Sequence, residues 1–312
     1  MPGDILFVNK GTPGRVCLVP DPVDFCIAQD MIALRADDEK IYNKYLFAVL
    51  RSREIQQQIY NTNVGDVIPH FKKQFMDQLL IPVPDRRIQE IIGNLYYELS
   101  YKTELNKKIN KNLEQQAVVL FRSWFSAFSL SPNSPRINSE FGEIPEDFEV
   151  VKVGSLPMLV TDYVANGSFA SLKANVNLYQ EPNYAYFIRN TDLKSGTFGV
   201  FVDQHSYEFL SKSTLYGGEI IISNVGDVGS VFLCPKLDGR MTLGNNIIML
   251  RPEDDLLRYY LYIWFKYLQG QALIQGIKGG SAQPKFNKTD FKNTSILIPP
   301  KDILTRFHET VA

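Results

Sequence analysis

The stretch from Arg86 to Phe125 constrains the fold more than any other part of the chain. It reads RRIQEIIGNLYYELSYKTELNKKINKNLEQQAVVLFRSWF, with no Pro and one Gly, Gly93. Alternating steps of four and three pick out Ile88, Ile92, Leu95, Leu99, Lys102, Asn106, Ile109, Leu113, Gln116 and Leu120, seven of the ten apolar. Leu105 and Ala117 sit beside two of the three polar exceptions, Asn106 and Gln116; Lys102 is the third. This spacing predicts a single helix that packs on another helix along much of its length. Lys107, Lys108, Lys111 and Glu114 then fall on or near the solvent side. At about 1.5 Å per residue, about forty residues make a rod of roughly 60 Å. No compact domain has an interior that long, so the rod has to bridge or space something.

With 312 residues, two domains are the first expectation, and 45% hydrophobic residues suffice for a packed core. No apolar run is long enough for a membrane span, and MPGDILFVNKG lacks the basic-then-apolar order of a secretory signal. Cys17, Cys26 and Cys234 are odd in number and scattered, which disfavours a disulfide framework or a structural zinc site. We expect reduced thiols in an intracellular protein. The net charge is −1, so any nucleic-acid binding has to use local patches or partner subunits.

In chain order, Asp4–Asn9 predicts a strand and Lys10–Gly14 a turn. Val16–Val19 and Met31–Leu34 predict further strands, Tyr42–Ile59 has helical spacing, and Leu79–Pro84 reads as a short strand closed by prolines. Residues 126–145, rich in Ser, Asn and Pro, read as a linker, and a second globular segment runs from Phe148 to Pro300.

The two globular segments repeat. A shift of about 215 residues lays Gly3-Asp4-Ile5 on Gly218-Glu219-Ile220, and Asn9, Gly11, Gly14 and Val16 on Asn224, Gly226, Gly229 and Val231. Gln29, Leu34 and Arg35 meet Asn245, Leu250 and Arg251 after a one-residue slip. Gly65, Pro69, Phe71 and Lys73 meet Gly280, Pro284, Phe286 and Lys288. So many Gly and Pro matches in order exclude coincidence. The chain therefore holds about one and a half repeats: the first segment lacks a counterpart of residues 148–217, and a second helix is cut short after Asp302–Val311. It reads as a fragment, or as one side of a rearranged coding region.

These residues resemble a known family, the DNA-specificity subunits of type I restriction–modification systems. Leu105–Phe125 resembles the start of that family's spacer, and Gly142-Glu143-Ile144-Pro145-Glu146-Asp147-Phe148 the opening of a recognition domain. Phe187–Gly196 (FIRNTDLKSG), Gly217–Ile220 with Gly226–Gly229, and Gly279–Ser281 with Ile296–Pro300 resemble its later motifs. The resemblance implies an α+β protein whose target-recognition domains, with small β-sheets, are joined by long coiled-coil spacer helices. The expected parts are a partial first recognition domain over 1–84, a spacer helix over 85–128 and a linker over 129–145. A complete second recognition domain over 146–300 and the start of a second spacer over 301–312 follow. It also implies double-stranded DNA as ligand, docking of DNA methyltransferase (modification) subunits and a restriction subunit, no catalysis by the chain itself, and a bacterial or archaeal cytoplasm. A second copy could supply the missing helix, making an antiparallel homodimer through the spacer.

Motifs for chemistry are missing. There is no P-loop and no Asn-Pro-Pro-aromatic methyltransferase motif; Asp192-x-Lys194 is too short a pattern to carry a nuclease; His70, His205 and His308 stand alone. We expect no catalytic residues, metal or cofactor. Candidate DNA contacts are polar or basic side chains beside Gly-rich turns. The richest patch is Lys278, Ser281, Gln283, Lys285, Asn287 and Lys288. A second set is Arg189, Asn190, Lys194 and Ser195; Ser223, Asn224, Lys10, Thr12 and Arg15 belong to the repeated hairpin. Arg, Asn and Gln can read base edges, whereas Lys and Ser more often grip phosphate. Residues shared by both repeats, such as Asn224 and Lys288, suit fold or backbone roles; differing positions, Gln283 against Ile68 and Lys285 against His70, suit sequence readout. The competing reading is a rearranged or truncated fragment that docks the modification subunit without productive DNA binding. Tyr259–Phe265 reads as a core helix rather than a base-stacking platform, and Trp124 and Phe125 as packing at the rod's end.

Overall fold

A computed structural model describes residues 1–62, 68–280 and 283–312. The chain divides into two compact units, Met1–Leu113 and Glu114–Ala312.

Unit 1 is built on a three-stranded antiparallel sheet, β1 (Ile5–Val8), β2 (Val16–Leu18) and β3 (Met31–Leu34), in the order β2-β1-β3. Alternation decides its two faces: Ile5 and Phe7 point into the core. There they meet α1 (Asn43–Leu50), α2 (Arg53–Asn61) and Phe71. The helical spacing over Tyr42–Ile59 resolves into these two helices because Ser52 interrupts it, capping α2 by accepting from the Ile55 N–H at 3.3 Å.

Helix α3 spans Arg86–Phe125 without a break, as the periodicity predicts. Its one glycine is explained by crowding, since a methyl group at Gly93 would lie 2.6 Å from the backbone nitrogen of Tyr45. The seam is another matter. Leu95 and Leu99 are 60% and 58% exposed, and Ile88, Ile92, Ile109 and Leu113 are exposed with them. The heptads specify a partner helix that the described residues do not provide. Glu114 departs from its expected solvent position: half-buried, it accepts from Tyr262 Oη at 2.7 Å and Lys266 Nζ at 2.5 Å. Burial opposes its ionisation, but the two donors outweigh that and hold its carboxyl below the usual range.

Unit 2 opens with a hairpin inside the stretch read as linker, β4 (Arg136–Ser139) with β5 (Gly142–Pro145). Gly142 supplies the left-handed turn (φ +88°) that closes it. Then come β6 (Glu149–Lys152), β7 (Met158–Asp162), α4 (Phe169–Asn175), β8 (Leu178–Tyr179), β9 (Ala185–Ile188), α5 (Asn190–Ser195), β10 (Phe201–Val202) and α6 (Gln204–Phe209). The closing half holds β11 (Thr214–Leu215), β12 (Ile220–Ser223), β13 (Val231–Leu233), β14 (Arg240–Leu243), β15 (Ile247–Pro252), α7 (Leu256–Lys266), α8 (Leu268–Gly276), α9 (Lys288–Lys292), β16 (Ser295–Ile298) and α10 (Lys301–Val311). A four-stranded sheet, β13-β12-β15-β7, lies between two cores. On one face Ile220, Ile222 and Leu250 meet α7, α10 and the end of α3. On the other, Ile221 and Met249 meet a five-stranded sheet, β11-β14-β9-β10-β8, through Ile188, Met241 and Leu243. Helix α7 is a core helix, with Tyr260, Leu261, Trp264 and Phe265 buried; Phe125 is buried against it, with Trp124 partly covered alongside.

The sequence repeat is a structural repeat down to single hydrogen bonds. Gln56 Nε2 donates to the carbonyls of Gly14 (2.9 Å) and Leu50 (2.7 Å), and Gln271 Nε2 to those of Gly229 (2.9 Å) and Phe265 (2.5 Å). Tyr45 Oη donates to the Pro82 carbonyl, and Tyr260 Oη to that of Leu297. The Arg35–Asp4 ion pair (2.8 Å) matches Arg251–Glu219 (3.0 Å). Asp30 (φ 67°) and Asn246 (φ 64°) occupy matching left-handed positions, which their short polar side chains tolerate. One expectation fails instructively: Leu79–Pro84 forms no strand, although its counterpart β16 pairs with β6.

Candidate nucleic-acid interface

Three segments of unit 2 meet around the turn from Asn224 to Ser230. Gly226 (φ 75°) and Gly229 (φ 98°) give the turn a backbone that residues with a Cβ rarely adopt. The first partner is the segment 278–288. There Gly279 and Lys285 exchange backbone hydrogen bonds of 2.8 and 2.9 Å, Gly226 N donates to the Pro284 carbonyl (2.9 Å), and Phe286 N to that of Asn224 (3.0 Å). The other partner is α5, through Asp227. Lys194 Nζ reaches that carboxylate at 2.5 Å, Ser230 Oγ at 2.6 Å and Asn190 Nδ2 at 3.2 Å. Lys194, then Ser230, stabilise the anion and push its pKa down to about 2 from 3.8. Because the folded value is depressed, the linkage stabilises the turn above pH 3.8 and is lost as pH falls towards 2. The protection of the amides of residues 226–230, as exchange relative to the intrinsic rate at each pH, should therefore fall between pH 4 and pH 2. An Asp227→Asn variant should show that lower protection already at neutral pH, with little further change in protection on acidification.

The structure sorts the candidate residues by what their side chains are already holding. Arg189 grips the buried Asp192 with two bonds of 2.9 and 2.7 Å at the start of α5. Ser195 donates to the Asp192 carbonyl (3.3 Å) and accepts from Thr197 N (3.2 Å), closing that helix. Lys288 pairs with Asp162 at 3.0 Å. Asn287 caps α9, accepting from Asp290 N at 2.8 Å. Ser223 is wholly buried, its hydroxyl without a partner among the described residues. Asn224 donates to the Phe286 carbonyl at 3.4 Å, while its Oδ1 has no partner among the described residues. Lys278, Gln283 and Lys285 are exposed, and no hydrogen bond or ion pair engages their side chains among the described residues. Ser281 lies outside the described residues. In unit 1, Lys10, Thr12 and Arg15 are exposed on the matching turn, which Gly11 N ties to the Pro69 carbonyl at 2.9 Å.

The sequence reading missed the carboxylates, Asp162 and Asp227, that restrain these cations. It also missed a cleft of about 370 Å³ bordered by Asp162, Phe169, Lys173, Asn224, Asn245 and Asn246. Phe169 stands 81% exposed at its rim. The Gly244-Asn245-Asn246 run was a legible turn signal; Phe169 and Lys173 carried none. The result is a surface of amides and free ammonium groups beside a mostly apolar cleft that Tyr163, Val164, Leu172, Val225 and Ile247 also line, able to meet phosphates and base edges. Among the described residues no cluster of His, Cys, Asp or Glu could hold a metal ion, and no helix is long and apolar enough to cross a membrane.

Known proteins match this architecture. The family described as the type I restriction modification DNA specificity domain matches residues 2–115 and 145–308, one match in each globular segment. The type I restriction enzyme MjaIX specificity subunit of Methanocaldococcus jannaschii is 24% identical, the match covering 99% of this chain and 70% of that one. The HindI specificity subunit of Haemophilus influenzae is 22% identical over 99% of this chain and 79% of that one. Among solved structures, the type I restriction-modification S subunit from M. genitalium superposes with a TM-score of 0.50 at 16% identity, over 100% of this chain and 75% of that one. A two-segment family match that coincides with a repeat visible in single hydrogen bonds has one consequence: this chain belongs to the type I restriction–modification DNA specificity family.

Proposed function

We propose that this chain is a non-catalytic, sequence-specific reader of duplex DNA that directs type I methyltransferase and restriction subunits to a target. The observation that supports this most strongly is the surface around Asn224–Ser230. In a chain of the specificity family, it presents Lys278, Gln283 and Lys285 without intramolecular ties among the described residues. In this reading Lys278 and Lys285 hold phosphates and Gln283 reads a base edge. Lys194 and Lys288 reach DNA only by leaving Asp227 and Asp162. The turn of unit 1 carries a second, smaller set in Lys10, Thr12 and Arg15. The exposed seam of α3 is the face for a helix of a second copy running antiparallel. An apolar stripe of this length is otherwise a liability in water.

The test is selection of retained sequences from a random duplex pool, with the purified chain alone and with its methyltransferase subunit. A short enriched half-site, or two inverted copies at fixed spacing, is the expected result. Lys278→Ala with Lys285→Ala should weaken binding to all duplexes and flatten the salt dependence by a slope of about 2. Gln283→Ala should change the enriched sequence and leave that slope alone. Salt-sensitive retention with no enriched sequence would refute sequence reading and leave only the docking role.

A further inference from the structure

The most exposed large apolar side chain among the described residues is Phe169, at 81%. Its ring packs into none of the four cores. It stands on the first turn of α4, whose start Ser168 fixes by accepting from Ser171 N at 3.2 Å. Lys173 follows four positions later on the same helical face, exposed and without a hydrogen bond or ion pair among the described residues. Both border the cleft of about 370 Å³. The walls behind them are apolar: Leu172 and Ile247 are buried there, and Tyr163 is held edge-on against Phe187 with ring centres 5.8 Å apart.

Polar groups complete the lining. Asp162 Oδ1 accepts from Ala165 N and from Lys288 Nζ, each at 3.0 Å. Its Oδ2 has no hydrogen-bond partner among the described residues, so one oxygen is left to accept while Lys288 balances the charge. Asn245 and Asn246 are exposed, and their side-chain amides are likewise unengaged among the described residues. The cleft is continuous with the turn already described: Asn224 and Val225 line it, and Asn224 N donates to the Asn246 carbonyl at 3.1 Å.

We propose that this cleft takes a single nucleobase turned out of the bound duplex, an inference that rests on the DNA-reading role proposed above. An aliphatic ligand would suit the walls but leave the amides and Asp162 Oδ2 without complements. A nucleobase satisfies both. Its flat face stacks on Phe169, and its edge carries the donors and acceptors that Asn245, Asn246 and Asp162 match. Lys173 meets the phosphate of the same nucleotide. Turning a base out costs its pairing and stacking, and that cost is least where the base is already unpaired. The position read in this way therefore depends on how readily its pair opens as well as on the edge presented.

The test uses the intact chain and duplexes retained in the selection, with each nucleotide replaced in turn by an abasic residue. At one position, removing the opposite base should tighten binding by at least about tenfold, because the captured base no longer has a pair to break. Removing the captured base itself should give no gain. Phe169→Ala, at a site outside every core, should fold normally, abolish the gain, and weaken binding to the intact duplex by about tenfold, the scale of one lost base–aromatic stack. A scan with no such position, or a gain that survives Phe169→Ala, would overturn the proposal. So would equal gains on both strands, which would mean that the ring wedges between base pairs. Adenosine monophosphate at millimolar concentration should not compete; Phe169-dependent competition would assign the cleft to a free nucleotide instead. A pool without an enriched sequence refutes sequence reading alone, since the scan is then run on whichever duplexes are retained. A chain that retains no duplex overturns both.

Discussion

Phe125→Ala should destabilise unit 2 by about 3–5 kcal/mol, the range for emptying a large aromatic site in a packed core. Phe125 is fully buried, and its ring lies 4.9 Å from Phe121, 4.9 Å from Tyr260 and 5.0 Å from Phe307. These neighbours come from α3, α7 and α10, so the ring is where three helices meet. Tyr260 cannot collapse into the space without giving up the bond from its hydroxyl to the Leu297 carbonyl. Urea unfolding monitored by tryptophan fluorescence would report the loss, since Trp124 and Trp264 both border this cluster. Phe125→Leu should cost much less, because most of the volume is retained. An Ala variant as stable as the parent would mean that α3 is not anchored in the core of unit 2.

The second large effect is expected at Arg251. Its Nη2 meets Glu219 at 3.0 Å and also donates to the Thr214 carbonyl at 2.5 Å. The Glu219 side chain is only 2% exposed and accepts from the backbone N–H groups of Tyr216 (2.8 Å) and Gly217 (2.9 Å). Arg251→Met removes the only counter-ion that the described residues give a buried carboxylate and should cost about 3 kcal/mol, at the low end for breaking a buried pair because the two N–H groups remain. Adding Glu219→Gln should recover part of that loss, since a neutral amide does not need the guanidinium. Stability curves for the two single variants and the double variant test this: strictly additive losses would show that the ion pair carries no coupling. The matching pair in unit 1 should respond more weakly, because the Arg35 side chain is 64% exposed.

Much of the architecture was legible before any coordinates. Helix α3 was readable to its ends, because nothing between Arg86 and Phe125 breaks a helix and the apolar spacing persists. The repeat was readable because turns constrain sequence: Gly11, Gly14, Gly226 and Gly229 all sit at positive φ, where few other residues are tolerated. The linker was misread because a four-residue hairpin strand such as Arg136–Ser139 carries almost no periodicity. Leu79–Pro84 was read as a strand from composition, but a strand exists only with a partner, and composition does not reveal whether one is present.

The candidate interface divides in the same way. The sequence by itself determined which segments bear polar and basic groups beside tight turns, since glycine positions and local charge are properties of neighbouring residues. Only the tertiary structure decided which of those groups are free. Lys288 is restrained by Asp162, 126 positions away, and Lys194 by Asp227, while Lys278 and Lys285 meet no carboxylate among the described residues. The physical reason is range. Turn chemistry acts over a few residues, but whether an ammonium group is already neutralised depends on which distant strands and turns folding brings within about 4 Å of it.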